Sequence, residues 1–239
     1  MNSENKFKTL ITSPEISDEA LLNLKSMGIK VRFSCENPNV LAPLRYHTDM
    51  QITSLGNGKM VCAPELHSYY AGLLKNTNTE ILAGNTVLTS NYPGDIAYNI
   101  IVAENSAIHN LKYTDPVILE NIGNRTKINV SQGYCACTLC MLNENAFITS
   151  DRGIHATLIR TGVDVLLIDD SAVLLNGFDH GFFGGSSVML SSNLLAVNGN
   201  IKKHTDCKKI TEFCSGHGVE VQSLSDGDVT DIGSFILCQ

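Results

Sequence analysis

A short apolar strand signal recurs about five times along this chain at a period of roughly 40–50 residues. No other feature of the sequence restricts the fold as much. Its copies are Leu10-Ile11-Thr12-Ser13-Pro14-Glu15, Val61-Cys62-Ala63-Pro64-Glu65, Ala107-Ile108-His109-Asn110, Phe147-Ile148-Thr149-Ser150-Asp151 and Leu195-Ala196-Val197-Asn198-Gly199. Five like units arranged in a ring bring the same strand of each to one central point. Side chains at those strand starts are then the candidates for a site.

The first unit shows how a repeat is built. Thr9–Ser13 reads as a strand, and Ser17 is placed to cap a helix whose first turn carries Asp18 and Glu19, favourable at its positive end. Leu21, Leu24 and Met27 form its apolar stripe, Gly28 stops it, and Ile29–Phe33 alternates as the next strand. The same strand–helix–strand order recurs. Asp115-Pro116 is a strong helix start before the strand Lys127–Val130, and a helix over Ile154–Ile159 ends at Gly162 before Val163–Ile168. Thr205 or Asp206 caps a helix bearing Ile210, Phe213 and Cys214, followed by Gly218 and Val219–Val221. One more helix, His67 to about Asn76, turns Tyr70, Leu73 and Leu74 inward.

Between units lies one further strand, expected at the ring centre. Its copies begin near His47-Thr48-Asp49-Met50, Pro93-Gly94-Asp95-Ile96, Gly133-Tyr134-Cys135-Ala136-Cys137, Gly184-Gly185-Ser186-Ser187 and Asp231-Ile232-Gly233-Ser234. The last copy falls near the C-terminus and the first unit begins without one, so the two ends of the chain complete one unit like a clasp. The reading is an α/β fold, a single domain over 1–239 of five ββαβ-type units around a pseudo-five-fold axis. A doubly wound sheet is the alternative that βα alternation alone allows.

Composition excludes several functions. With 17 Lys and Arg against 24 Asp and Glu, the net charge is −7 and no basic run occurs, which argues against nucleic acid. The polar start, Met1–Lys6, predicts no secretory leader, and no apolar run approaches the roughly 20 residues of a membrane span. A cytoplasmic protein is expected, its eight cysteines free thiols.

Tyr46-His47-Thr48-Asp49, Tyr92–Asn99, Gln132-Gly133-Tyr134 and Asp231–Ser234 resemble segments of an uncharacterised bacterial family assigned to the pentein fold. This is the fold of the guanidino-group-modifying enzymes, and the resemblance covers nearly the whole chain. It implies a five-fold α/β propeller, no organic cofactor, and a Cys nucleophile attacking a guanidino carbon. Carboxylates would hold the cation and a His would serve as acid and base. In the family's usual order Pro93-Gly94-Asp95 matches an acidic motif, but the nucleophile's place holds Ile232-Gly233-Ser234-Phe235 and the expected His is missing. Rotating the ring matches His47-Thr48-Asp49 to the His motif and Cys135-Ala136-Cys137, two units later, to the nucleophile, with Ser186 where an acid would stand.

On this rotation Cys137 is the candidate nucleophile and His47 the acid/base. Asp49 and Asp95, in equivalent positions of neighbouring units, are candidate cation-binding carboxylates, with Asp231, Asn99 and Ser186 as further polar lining. Strand parity would put Cys135 on the face of Cys137, as a reserve thiol, and turn Cys140 away, which counts against a zinc site of the three. The bland readings stay open: a small side chain in a crowded strand for Cys137, a backbone-bonded imidazole for His47, turn caps for the aspartates. Asp179–Gly185 reads as a tight Gly-rich approach or lid, and His204-Thr205-Asp206 as a helix cap. His67, His109, His155 and His217 read as surface residues. Two functions remain: hydrolysis or transfer at a guanidino or amidino carbon, or a non-catalytic ring binding a small cationic ligand or a protein or ribosomal partner.

Overall fold

The computed structural model describes residues 9–238, and the polar start used above to argue against a leader lies outside them. The chain begins with β1 (Thr9–Thr12), α1 (Asp18–Ser26) and β2 (Lys30–Phe33). A one-turn helix, α2 (Thr48–Gln51), then leads into β3 (Ile52–Gly56), β4 (Lys59–Cys62), α3 (His67–Leu74) and β5 (Glu80–Ala83). The third run is β6 (Ile101–Val102), β7 (Ser106–His109), α4 (Pro116–Asn121) and β8 (Thr126–Asn129). A second one-turn helix, α5 (Cys135–Thr138), opens the fourth, β9 (Leu139–Asn143), β10 (Ala146–Thr149), α6 (Arg152–Ile159) and β11 (Asp164–Leu167). The fifth is β12 (Ser187–Ser191), β13 (Leu194–Val197), α7 (Cys207–Gly216) and β14 (Glu220–Ser223), and β15 (Phe235–Cys238) ends the described chain.

Five three-stranded sheets result, ordered β15-β1-β2, β3-β4-β5, β6-β7-β8, β9-β10-β11 and β12-β13-β14. In each, the middle strand is antiparallel to the first-named strand and parallel to the last. The middle strands are the five copies of the repeat, nearly continuous in buried residues because both faces are covered. The first-named strands line the axis: β15 lies against β3 and β12, β3 against β6, and β9 against β12. This is a five-fold α/β propeller, closed by the pairing of Thr9–Thr12 with Phe235–Cys238.

Local signals behave as their chemistry dictates. Ser17 Oγ accepts from the Ala20 amide at 3.2 Å, and Asp115 Oδ1 from the Val117 amide at 2.9 Å, with Pro116 at the first helical position. α6 starts two residues before the expected Ile154 because Asp151 caps it, Oδ1 accepting from the Ile154 amide at 2.7 Å. Asp206 stands at the start of α7 but makes no capping bond; its carboxylate instead takes the Asp169 amide and pairs with Lys209. Among the described residues no helix is long and apolar enough to cross a membrane.

The main departure from the sequence reading sits at the ring centre. The segments read as the starts of central strands are mostly tight helical turns before them: α2, α5 and the 3-10 turn Gly184–Ser186. Strand parity therefore does not apply to their side chains. In a helical turn, residues two apart point about 200° apart around the axis. His47 and Asp49, or Cys135 and Cys137, thus diverge where a strand would have aligned them.

Candidate active site

The register fixes which residues are equivalent. Ile52, Leu139, Ser187 and Phe235 face the last residues of their middle strands, and extending the β6–β7 register by one residue gives Ile100 the same place. Counting back five residues reaches His47, Asp95, Tyr134 and Phe182; counting back three reaches Asp49, Ala97, Ala136 and Gly184. Asp49 and Asp95 are therefore not equivalent, contrary to the sequence reading; Asp95 corresponds to His47. The two classes part company in space. His47, Tyr134 and Phe182 line a cavity of about 320 Å³ outside the turns, whereas Asp49, Ala136 and Gly184 line an axial channel of about 290 Å³ along the inner strands.

The outer cavity gathers the chemistry. Cys137 and Met50 reach it from the turns, with Asp231 beside them. Its roof is the strap from Leu175 to Phe182, which also presents Asp179 and His180, and its far lip is Leu41 and Leu44. The strap meets that lip at Gly177, where a side chain would strike Pro43.

Cys137 is 4% exposed, and its Sγ donates to Asp49 Oδ2 at 3.1 Å while receiving the Asn99 Nδ2 hydrogen at 3.1 Å. Asn99 Oδ1 also accepts from the Ala136 and Cys137 amides at 2.7 and 3.3 Å, so this residue positions the turn and is not open lining. Burial, with Asp49 and Asp231 nearby, pushes the Cys137 thiol well above its ordinary range. Behind it, Asp49 Oδ2 also receives the Ser234 hydroxyl at 2.6 Å, and Asp49 Oδ1 has no hydrogen-bond partner among the described residues. Ser234 does so from a left-handed backbone, φ 63°, that a non-glycine residue seldom adopts.

His47 is 1% exposed, and among the described residues neither ring nitrogen has a hydrogen-bond partner. Desolvation lowers its pKa more than Asp49 raises it, which favours a neutral imidazole. The ring is seated against Gly233, φ 77°, where any Cβ would fall 2.3 Å from His47 Cα and Cβ. Asp231 accepts from the Gly233 amide at 2.9 Å and the Phe182 amide at 3.0 Å. Burial, and then the Asp49 carboxylate, raise its pKa to about 8. A Cβ on Gly185 would lie 2.0 Å from its Oδ1, which is why this glycine follows Gly184.

The remaining expected residues stand further off. Asp95 is 1% exposed, takes the Tyr134 hydroxyl at 2.7 Å, and has its pKa raised by burial. It touches the cavity only through Tyr134. Ser186 turns its hydroxyl back to the Phe183 carbonyl at 2.9 Å and lines neither space. Cys135 is not a reserve for Cys137: it packs with Ile108, Leu139 and Phe147, on the other side of its turn. Among the described residues no group of three or more His, Cys, Asp or Glu is arranged to hold a metal ion.

Two histidines, one read as a surface residue and one as part of a helix cap, are interior. His109 is 0% exposed, bonds Thr114 Oγ1 and the Gly133 carbonyl at 2.7 and 2.9 Å, and desolvation lowers its pKa to about 4. His204, expected as a cap, is buried with its Nδ1 accepting the Asp206 amide at 3.0 Å. Sequence reading missed Tyr134, Asp179 and the apolar lip as lining. Tyr134 was within reach, since it shares a repeat position with His47.

Five such units closed into a ring around one axis form the pentein fold. Solved structures of that fold match nearly the whole chain. SxtG, an amidinotransferase from Microseira wollei, matches with a TM-score of 0.58 at 10% identity, over 100% of this chain and 96% of that one. The agmatine deiminase of C. jejuni matches with a TM-score of 0.58 at 13% identity, over 99% and 94%. DDAH from Pseudomonas aeruginosa, solved with citrulline, matches with a TM-score of 0.58 at 7% identity, over 97% and 99%. Within this fold the chain belongs to the family of unknown function DUF6873, whose model matches residues 11–236. No curated relative matches the sequence.

Proposed function

We propose that this protein is a hydrolase or transferase acting on a guanidino or amidino carbon through a covalent Cys137 intermediate, working in the cytoplasm on a small cationic substrate. One observation carries the reading. A thiol, an imidazole whose nitrogens have no hydrogen-bond partner among the described residues and a buried carboxyl group face one cavity, with a second carboxyl group hydrogen-bonded to the thiol. A cation entering beside Asp231 offsets the negative charge of Asp231 and of Asp49 behind Cys137, which holds the Cys137 proton in place.

In the proposed reaction Cys137 passes its proton to His47 and sulfur bonds to the guanidino carbon. The carbon–nitrogen bond to the leaving amine breaks as His47 returns the proton to that nitrogen. Water, or an acceptor amine, then attacks the thiouronium carbon and gives a proton to His47. The carbon–sulfur bond breaks, and the departing sulfur recovers that proton. Asp231 orients the planar head group, while Asp49 holds Cys137 from the channel side. Asp95 acts through Tyr134.

One specific observation favours the alternative, a ring that binds a small cation without chemistry. At rest Cys137 is a thiol held as a donor to Asp49, with its pKa raised. The test is site-resolved alkylation of the native protein by chloroacetamidine and by neutral chloroacetamide across pH 5–10. Catalytic Cys137 is expected to react at least tenfold faster with the amidine and to lose that preference in Asp231→Asn, while His47→Asn slows turnover on a guanidine panel by roughly 100-fold or more. Equal rates for the two reagents, or labelling confined to other cysteines, would overturn the catalytic reading in favour of the binding one.

A further inference from the structure

We infer that the ligand of the Cys137 cavity is a monocation with an uncharged apolar tail, an alkyl- or arylalkylguanidine, rather than an amino acid such as arginine. This rests on the reading of that cavity as a guanidino site.

The charge of the walls is one-sided. Asp231 lies deep and Asp179 near the mouth, and among the described residues no Lys or Arg lines the space. His180 at the mouth stands directly beside Asp179. Arg45, next to Leu44 in sequence, is committed to Glu36 at 2.9 Å. Arg152 lines a separate polar cleft on the other side of His180 and Phe182, which border both spaces. A substrate carboxylate in the cavity would meet carboxylates and lose its water without a cationic partner, an unfavourable exchange.

The path outward is apolar. From Asp231 and Cys137 the wall continues through Met50, Leu44 and Leu175 to Leu41 and Phe178, which remain 44% and 43% exposed at the rim. Large apolar side chains left in water around a cavity mouth mark a surface that a ligand covers. At about 320 Å³ the space lies at the lower end for small-molecule sites, which run from about 300 to 1,000 Å³, so the tail is short.

The test is calorimetric affinity of the intact protein for propyl-, butyl-, hexyl- and phenethylguanidine and for arginine, with turnover followed on the same compounds. Affinity is expected to rise about fourfold per added methylene as far as the rim. Arginine should bind at least about tenfold more weakly than butylguanidine, which matches its side chain without the carboxylate. Phe178→Arg, at an exposed position, is expected to narrow or invert that ratio. A flat alkyl series, or arginine bound as well as butylguanidine, overturns the inference even if arginine is turned over and the guanidino reading stands. Graded binding without turnover supports the inference and removes the catalytic reading. Binding of none of the compounds overturns both.

Discussion

The axial channel and the Cys137 cavity lie on two sides of one layer of turns, yet they differ in almost everything. The channel is lined by corresponding residues from all five units, Ile52, Ile100, Leu139, Ser187 and Phe235 among them, and follows the repeat. The cavity draws on only some of the turns and borrows its roof and lip from two irregular segments, around Leu175–Phe182 and Leu41–Leu44. The equivalent positions hold His47, Asp95, Tyr134 and Phe182, four different chemistries, and all but Asp95 line the cavity. Repetition builds the scaffold, and its local breakage supplies the groups that can react.

That contrast can be broken experimentally. The largest effect expected is from Cys137→Ser, which should reduce turnover of a guanidine substrate at least about 1,000-fold, because a hydroxyl is a far weaker nucleophile than a thiolate at neutral pH. Thermal unfolding of the variant should stay close to that of the parent. Residual activity near the parent level would move the chemistry elsewhere in the ring.

Gly233→Ala comes next. A left-handed backbone and a Cβ pressed on His47 should together cost about 2–4 kcal/mol of stability, read by chemical denaturation. An unchanged midpoint would show that the seat of His47 is not rigid.

The pH dependence of the Asp231 site is a smaller effect with a definite sign. Its pKa is about 8 in the folded ligand-free protein, against an ordinary value of 3.8. The folded state therefore holds an extra proton between those values. Stability from this group is full below about pH 4 and falls as pH rises toward 8, by at most about 1.4 kcal/mol per pH unit. Asp231→Asn should remove that slope. A cation bound near pH 7 should release a proton from the parent and none from the variant, measured by calorimetry in buffers of different ionisation enthalpy.

The mildest comparison is Met189→Ala in the channel. It should lower stability by about 1 kcal/mol for a half-buried side chain and leave cation affinity unchanged. A changed affinity would mean that the two spaces are coupled through Asp49, whose Oδ2 holds the Cys137 thiol from the channel side.

Much of the scaffold was legible because it rests on local rules repeated five times. Ser17 and Asp115 cap their helices, Gly28, Gly162 and Gly218 follow helix ends with φ of 76°, 86° and 71°, and the β1–β15 clasp closes the ring. The candidate site was legible as a set of segments but not as a set of directions. His47, Cys137 and Asp231 do meet at one cavity, yet Asp49 faces the channel, Asn99 braces the nucleophile's turn and Ser186 bonds its own backbone. The cause was one misplaced assumption of period two across segments that form a helical turn.

By itself, then, the sequence determined the repeat, the five-unit α/β ring and the short stretches that reach its centre, since hydrophobic spacing, caps and glycine stops act over a few residues. Only the tertiary structure decided which side chains share a cavity, that Asp95 answers to His47 rather than to Asp49, and that His109 and His204 lie in the interior. Those outcomes depend on the phase of one turn against another contributed from dozens of residues away, and on close approaches such as Gly233 to His47. No local pattern encodes them, because the partner that fixes each side chain's direction is distant in the chain and adjacent only once the ring has closed.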